Sequence, residues 1–193
     1  MTIESTFLEG VFVLTPKRFG DDRGWFTESW NADRMKDAGL DLAFVQDNHS
    51  FSQRKGTLRG LHYQSPPRAQ DKLVRCTRGS ILDVAVDFRQ GSSTYGKWFG
   101  VELTADNGKQ LLVPQGFLHG FLTLTNDVEV QYKCTDVYAP DCDGNVRWDD
   151  PTIGIDWAMC GALPEDGPQL SAKDAVAPLF ADVATPFRYE AAP

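Results

Sequence analysis

The sequence has no apolar run approaching the roughly 20 residues that a membrane-spanning helix needs, so no membrane partner is expected. Its first ten residues, MTIESTFLEG, lack the basic start and the apolar core of a signal peptide, and a cytoplasmic location is the expectation. Basic residues are in the minority: 19 Lys and Arg against 27 Asp and Glu give a formal net charge of −8. That balance argues against general affinity for nucleic acid, which relies on clustered cations displacing counterions. It leaves room for a phosphorylated ligand held by a few local cations, because net charge is global and a pocket is not. The four cysteines, Cys76, Cys134, Cys142 and Cys160, form no CxxC pair and no zinc-ligand spacing, so reduced thiols are expected. Helical signal is thin. Asn31–Gly39 (NADRMKDAG) reads as a short helix with Asn31 as N-cap and Gly39 as its stop. There is no internal repeat, no low-complexity tract and no long linker, so residues 1–193 read as one domain.

What the chain does have is strand periodicity. In Ser80–Phe88 (SILDVAVDF), Leu82, Val84, Val86 and Phe88 share one parity while Asp83 and Asp87 fall on the other, the pattern of a half-buried strand. Trp98–Leu103 alternates in the same way, and Lys109–Val113, Phe117–Leu124 and Val128–Cys134 follow at short intervals. Pro114-Gln115-Gly116 and Thr125-Asn126-Asp127 punctuate them, and several short strands at such spacing predict an all-β sandwich or barrel. From Pro140 to Pro193 the composition (Pro, Gly, Asp, Ala) predicts loops and short helices packed on the sheet.

Gly108–His119, GKQLLVPQGFLH, has the pattern G-x5-P-x-G-x-x-H, the second signature of the cupin superfamily of jelly-roll barrels. The first signature should read G-x5-H-x-H followed by a Glu. Gly56 onward gives GTLRGLHYQSPPRA instead, with His62 in place, Gln64 for the second His, and Arg68 or Ala69 where the Glu belongs. A site reduced to two His without the carboxylate is a poor host for a divalent ion, so no metal and no cofactor are expected. His62 is then free for acid–base work. Tyr132 shares parity with Val128 and Val130 and should point inward, where its hydroxyl needs a partner. His62, Arg59, Lys72, Tyr132 and His119 make up a set suited to removing a proton α to a carbonyl: a base, donors for the developing oxyanion, and an acid for the other face. Arg59 and His62 have opposite parity, so one pocket for both requires a bulge or twist near Gly60.

Seven ordered motifs carry a closer resemblance: FGDDRGWFTESW (Phe19–Trp30), FVQDNHS (Phe44–Ser50), LRGLHYQ (Leu58–Gln64), KLVRCTRGSILDVAVDFR (Lys72–Arg89), PQGFLHGF (Pro114–Phe121), YKCTDVYAP (Tyr132–Pro140) and LSAKDAVAPL (Leu170–Leu179). With them the chain resembles the dTDP-4-dehydrorhamnose 3,5-epimerase family of cupin-like, cofactor-free sugar-nucleotide isomerases. The resemblance implies an all-β, cupin-like jelly-roll β-barrel with short peripheral helices. It implies His62 as general base, Asp174 as the carboxylate orienting it, Tyr132 as general acid, and Lys72 and Arg59 as stabilisers of the enolate. His119 takes a sugar-contacting position. Arg23, Glu28, Gln46 and Asn48 match nucleotide and phosphate contacts, Tyr138 the aromatic that stacks on thymine, and Asp143 and Lys173 further substrate contacts; at 143 the family often carries the longer Glu. The implied partners are a dTDP-4-keto-6-deoxy sugar and a second copy of the chain, as a homodimer with exchanged N-terminal strands.

Taken alone, several of these residues have plainer readings. Lys72 and Arg59 would be solvated cations, Tyr132 a core aromatic, and Arg23 and Glu28 a surface pair in a loop followed by a strand. Asp174 carries almost no signal of its own, and His49 reads equally as structural or site-lining. Three rivals stay open: a single-centre epimerase of the same family, a metal-dependent cupin, and a sugar-binding cupin without catalysis.

Overall fold

The computed structural model describes residues 1–161 and 163–190. Its strands are β1 (Thr2–Ser5), β2 (Phe12–Thr15), β3 (Arg18–Asp21), β4 (Gly24–Thr27), β5 (Gln46–Ser52), β6 (Leu58–Gln64), β7 (Lys72–Arg78), β8 (Ser80–Asp87), β9 (Trp98–Thr104), β10 (Gln110–Val113), β11 (Phe117–Thr123), β12 (Val128–Cys134) and β13 (Asp143–Asn145). The α-helices among the described residues are α1 (Ala32–Asp37) and α2 (Ala172–Ala175).

The strands form a six-stranded sheet, β1-β2-β10-β7-β12-β5, and a five-stranded sheet, β13-β6-β11-β8-β9, both antiparallel. Val13, Val74, Leu111 and Val130 of the first meet Ile81, Ala85, Leu103 and Phe117 of the second in one core cluster. The expected all-β enclosure is present, as two facing sheets rather than one hydrogen-bonded ring. All four cysteines are free thiols, with Cys76 and Cys134 buried on strands.

Strand β8 corrects the sequence expectation of half burial, because it is buried along its whole length. Its alternation is real, but the faces carry different loads. Leu82, Val84, Val86 and Phe88 pack outward against Val146, Ile153, Trp157, Phe180 and Phe187 of the C-terminal stretch, which covers the five-stranded sheet. Asp83 and Asp87 therefore cannot face water. Asp87 is satisfied by Arg89, Ser92 and Thr94. Of the stretch Pro140–Pro193, positions 162 and 191–193 lie outside the described residues.

Helix α1 starts where expected: the Asn31 side chain accepts from the Arg34 N–H, an N-cap that satisfies an otherwise orphan donor. Gly39 follows its end with φ +85°, a left-handed conformation that suits glycine. The helix buries Met35 against Leu14, Leu73 and Leu112 on the outer face of the six-stranded sheet. Strands β3 and β4 form a separate hairpin. At its base the Arg18 guanidinium donates to the carbonyls of Ala105 and Asp106 and lies 4.0 Å from the Trp25 ring centroid. Beyond that anchor the hairpin exposes Phe19 (54%), Trp25 (58%) and Phe26 (69%), a large apolar area for so small an element.

Candidate active site

Strand β6 supplies two of the site's side chains by breaking its own register. His62 pairs with His119 of β11, whereas Arg59 pairs with Phe121, so three steps on β6 answer two on β11. The extra residue is a β-bulge, and it turns Arg59 and His62 into the same interior as the sequence requires. Gly60 and Gly120 make the bulge sterically possible. A Cβ on Gly60 would lie 2.6 Å from the Gly120 Cα and 2.8 Å from the His119 carbonyl oxygen, and Gly60 holds φ +128°.

Opposite the bulge, the C-terminal stretch brings in Asp174. Gln169 exchanges backbone hydrogen bonds with Gly56 and Leu58, and the Arg147 N–H donates to the Pro178 carbonyl, pinning the segment on both sides of α2. Ser171 caps α2 by accepting from the Asp174 N–H. Asp174 is thereby buried with its Oδ1 2.6 Å from His62 Nε2. Burial alone would raise the Asp174 carboxyl, but the hydrogen bond and charge of His62, with donors from Ser171 and the Gly60 backbone, hold it below the usual carboxylate range. An anionic Asp174 only accepts, so the proton shared with His62 lies on Nε2.

These residues line a cavity of about 670 Å³ together with Lys72, His119, Phe121, Tyr132 and Lys173. The volume suits a ligand well beyond a monosaccharide fragment. Burial lowers the Lys72 ammonium, and the charges of Asp143 and Asp83 partly restore it. Burial raises the Tyr132 phenol, with Arg59 opposing the shift, so Tyr132 is protonated at neutral pH. Its hydroxyl departs from expectation. It has no hydrogen-bond partner among the described residues and opens on the cavity, where a ligand rather than the protein would satisfy it. His119 donates or accepts through Nε2 at 2.8 Å from Asp83 Oδ1.

Gln64, at the second-His position of the cupin signature, is consumed by backbone. It donates to the carbonyls of Arg68 and Val137 and accepts from the Ala139 N–H. Among the described residues no three His, Cys, Asp or Glu side chains converge as metal ligands.

Four further residues singled out in the sequence form a linked patch rather than lining this cavity. Gln46 donates to Asn48 and accepts from the Tyr138 N–H; the Tyr138 hydroxyl lies 3.3 Å from Asp143 Oδ2, and Asp143 pairs with Lys173 of the cavity wall. Asp143, though shorter than Glu, thus joins patch to cavity. Arg23 and Glu28 do not line the cavity, and they do not pair with each other. Arg23 binds Asp21 within the hairpin and Glu28 binds Arg34 of α1. His49 binds Glu129 on the outer face of the six-stranded sheet, away from the main cavity. Sequence reasoning missed Asp83 altogether, because its parity read as solvent-facing.

A sequence profile described as dTDP-4-dehydrorhamnose 3,5-epimerase matches residues 5–182. The chain is 49% identical over 181 residues to the dTDP-4-dehydrorhamnose 3,5-epimerase of Salmonella typhimurium, covering 93% of this chain and 96% of that one. It is 51% identical over 164 residues to the enzyme of the same description from Escherichia coli, covering 84% and 88%. Among solved structures, the dTDP-6-deoxy-D-glucose-3,5-epimerase of Legionella pneumophila in complex with dTDP-4-keto-L-rhamnose superposes with a TM-score of 0.92 at 44% identity, covering 98% of this chain and 99% of that one. The chain belongs to the dTDP-4-dehydrorhamnose 3,5-epimerase family, and its fold is the cupin-like fold of that family.

Proposed function

We propose that this isomerase converts dTDP-4-dehydro-6-deoxy-D-glucose to dTDP-4-dehydro-L-rhamnose by inverting C3 and C5, the two carbons flanking the C4 ketone. The observation that carries the reading is the His62–Asp174 pair at 2.6 Å, set in a cavity with Lys72, Arg59 and a protonated phenol. His62 Nδ1 removes the proton α to the ketone. Negative charge then develops on the C4 oxygen, where Lys72 and Arg59 are the available donors. Tyr132 returns a proton to the opposite face, which inverts the centre, and the steps repeat at the second carbon. Each of these steps is carried by side chains of the chain itself.

The nucleotide end of the substrate falls to the patch beyond Lys173. Tyr138, 57% exposed, offers a ring to stack on thymine, and Gln46, Asn48 and Asp143 offer polar contacts. Arg23 and Glu28 fit the same role if they come from a second chain. The exposed aromatic hairpin that carries Arg23 supports a homodimer with exchanged N-terminal strands, burying above about 2,000 Å² in total as obligate dimers do. No helix of the described residues is long and apolar enough to cross a membrane, and a cytoplasmic biosynthetic role fits the composition.

The test is incubation with dTDP-4-keto-6-deoxyglucose in D2O, followed by NMR of C3 and C5. Deuterium and inverted configuration at both carbons are expected. Inversion at one carbon alone would make the protein a single-centre epimerase, and no exchange at either would overturn the reading.

A further inference from the structure

The interior holds a carboxylate that this mechanism does not use. Asp83 of β8 has no exposed surface, on the face where the sequence pattern placed solvent. Oδ1 bonds His119 Nε2 at 2.8 Å, whereas Oδ2 is buried without any hydrogen-bond partner among the described residues. A bare carboxylate oxygen in an interior is costly, and retaining one calls for a cation close by. His119, held by the other oxygen, is the ionisable group in contact with it, and Lys72 of β7 lines the same cavity as His119.

We propose that Asp83 is a positioning residue of the epimerisation, fixing the His119 ring with Nδ1 toward the cavity. The inference rests on the function proposed above. An anionic Asp83 only accepts, so the proton it shares with His119 sits on Nε2 and Nδ1 offers a lone pair. A sugar hydroxyl can donate to that lone pair while Lys72, a donor only, meets the carbonyl oxygen. Without Asp83 the imidazole is free to change tautomer and present N–H where an acceptor is needed.

The titratable groups facing Asp83 are His119 from β11 and Lys72 and Cys76 from β7; β9 offers Val101 opposite it, without charge. Burial raises the Asp83 carboxyl, and His119 and Lys72 counter that rise. Asp83 thus acts on the cavity through His119, which lines it, while Asp83 itself does not reach it.

Two measurements test it. In ¹⁵N-labelled wild type, ring NMR should find His119 protonated at Nε2; the Nδ1-protonated tautomer overturns the proposal and requires no variant. Asp83→Asn is nearly isosteric and removes the charge. It should lower kcat at least ~10²-fold, because His119 no longer holds one tautomer at the sugar. Ring NMR of the folded variant should find the Nδ1-protonated tautomer populated beside the Nε2-protonated one. Wild-type kcat with a single Nε2-protonated tautomer in Asp83→Asn sinks the idea. Should that variant not fold, the wild-type tautomer decides. Wild-type enzyme that fails to epimerise overturns the functional reading instead, and the tautomer still reports on Asp83 separately.

Discussion

His62 and His119 sit directly opposite one another on neighbouring antiparallel strands, and each ring is tied through Nε2 to its own carboxylate. The pairs differ in access. Asp174 and His62 stand at the cavity wall with Asp174 reached from a separate short helix, whereas Asp83 lies within the sheet beneath His119. The same imidazole–carboxylate unit is therefore available once as an exposed base and once as a fixed polar contact.

His62→Asn keeps shape and some hydrogen bonding but cannot take up a proton. Epimerisation should fall at least ~10²-fold, the low end for a positioned acid–base group. Asp174→Asn should be milder, since it removes orientation and charge support and leaves the base. Steady-state assays decide this, and equal activity in wild type and His62→Asn would overturn the assignment of the base.

Acid should expose Asp174's contribution to stability. Its folded carboxyl lies below the unfolded value of about 3.9, so the stabilisation is complete above that unfolded value and is lost as pH falls through the folded one. The stability difference between wild type and Asp174→Asn, measured by urea unfolding, should shrink as pH falls below about 4, where the carboxylate takes up its proton. A difference that instead grows below about pH 4 would contradict the lowered carboxyl.

Tyr132→Phe removes only a hydroxyl. His62 can still form the enolate and return the proton to the face it left. Substrate hydrogen should keep exchanging with D2O while inversion falls much further, followed in one NMR time course. If both drop by the same factor, Tyr132 acts before or during abstraction.

Gly60→Ala should disturb fold and chemistry together. The new methyl meets backbone, not a flexible side chain, and φ +128° strains any Cβ-bearing residue. A loss of about 1–3 kcal/mol by thermal unfolding is expected, with activity down as Arg59 and His62 lose their common facing. An unchanged Tm would show that the strand contact relaxes freely.

Phe26→Asp places a charge on the hairpin that the dimer reading buries. Light scattering should give twice the 21.5 kDa chain mass for wild type and a shift toward monomer for the variant, with activity falling alongside. An active wild-type monomer would refute the exchanged-strand dimer.

Much of the architecture was legible as period-2 alternation, since side-chain parity is fixed by the strand backbone. Parity cannot tell which face meets water, however. In β8 the apolar side lies under a layer assembled from Val146, Ile153, Trp157 and Phe180, far along the chain, and the polar side lines the interior. Asp83 was lost to that ambiguity. The Gly60 bulge was readable because Arg59 and His62 could not otherwise share a pocket. The pairing of Asp174 with His62 was not, because it depends on backbone bonds from Gln169 and Arg147 that leave no local pattern. Arg23 and Glu28 had only motif support, and a single chain leaves them on each other's periphery.

The separation of 112 positions from His62 to Asp174 also imposes a schedule on synthesis. A ribosome adding about 5–20 residues per second finishes the imidazole roughly 6–22 s before its carboxylate. Every strand from β1 to β13 is translated in advance of Asp174. A nascent or prematurely terminated chain can thus carry the whole set of sheet strands and still lack an oriented base. Synthesis of the segment that carries Asp174, rather than pairing of the sheets, gives His62 its carboxylate partner.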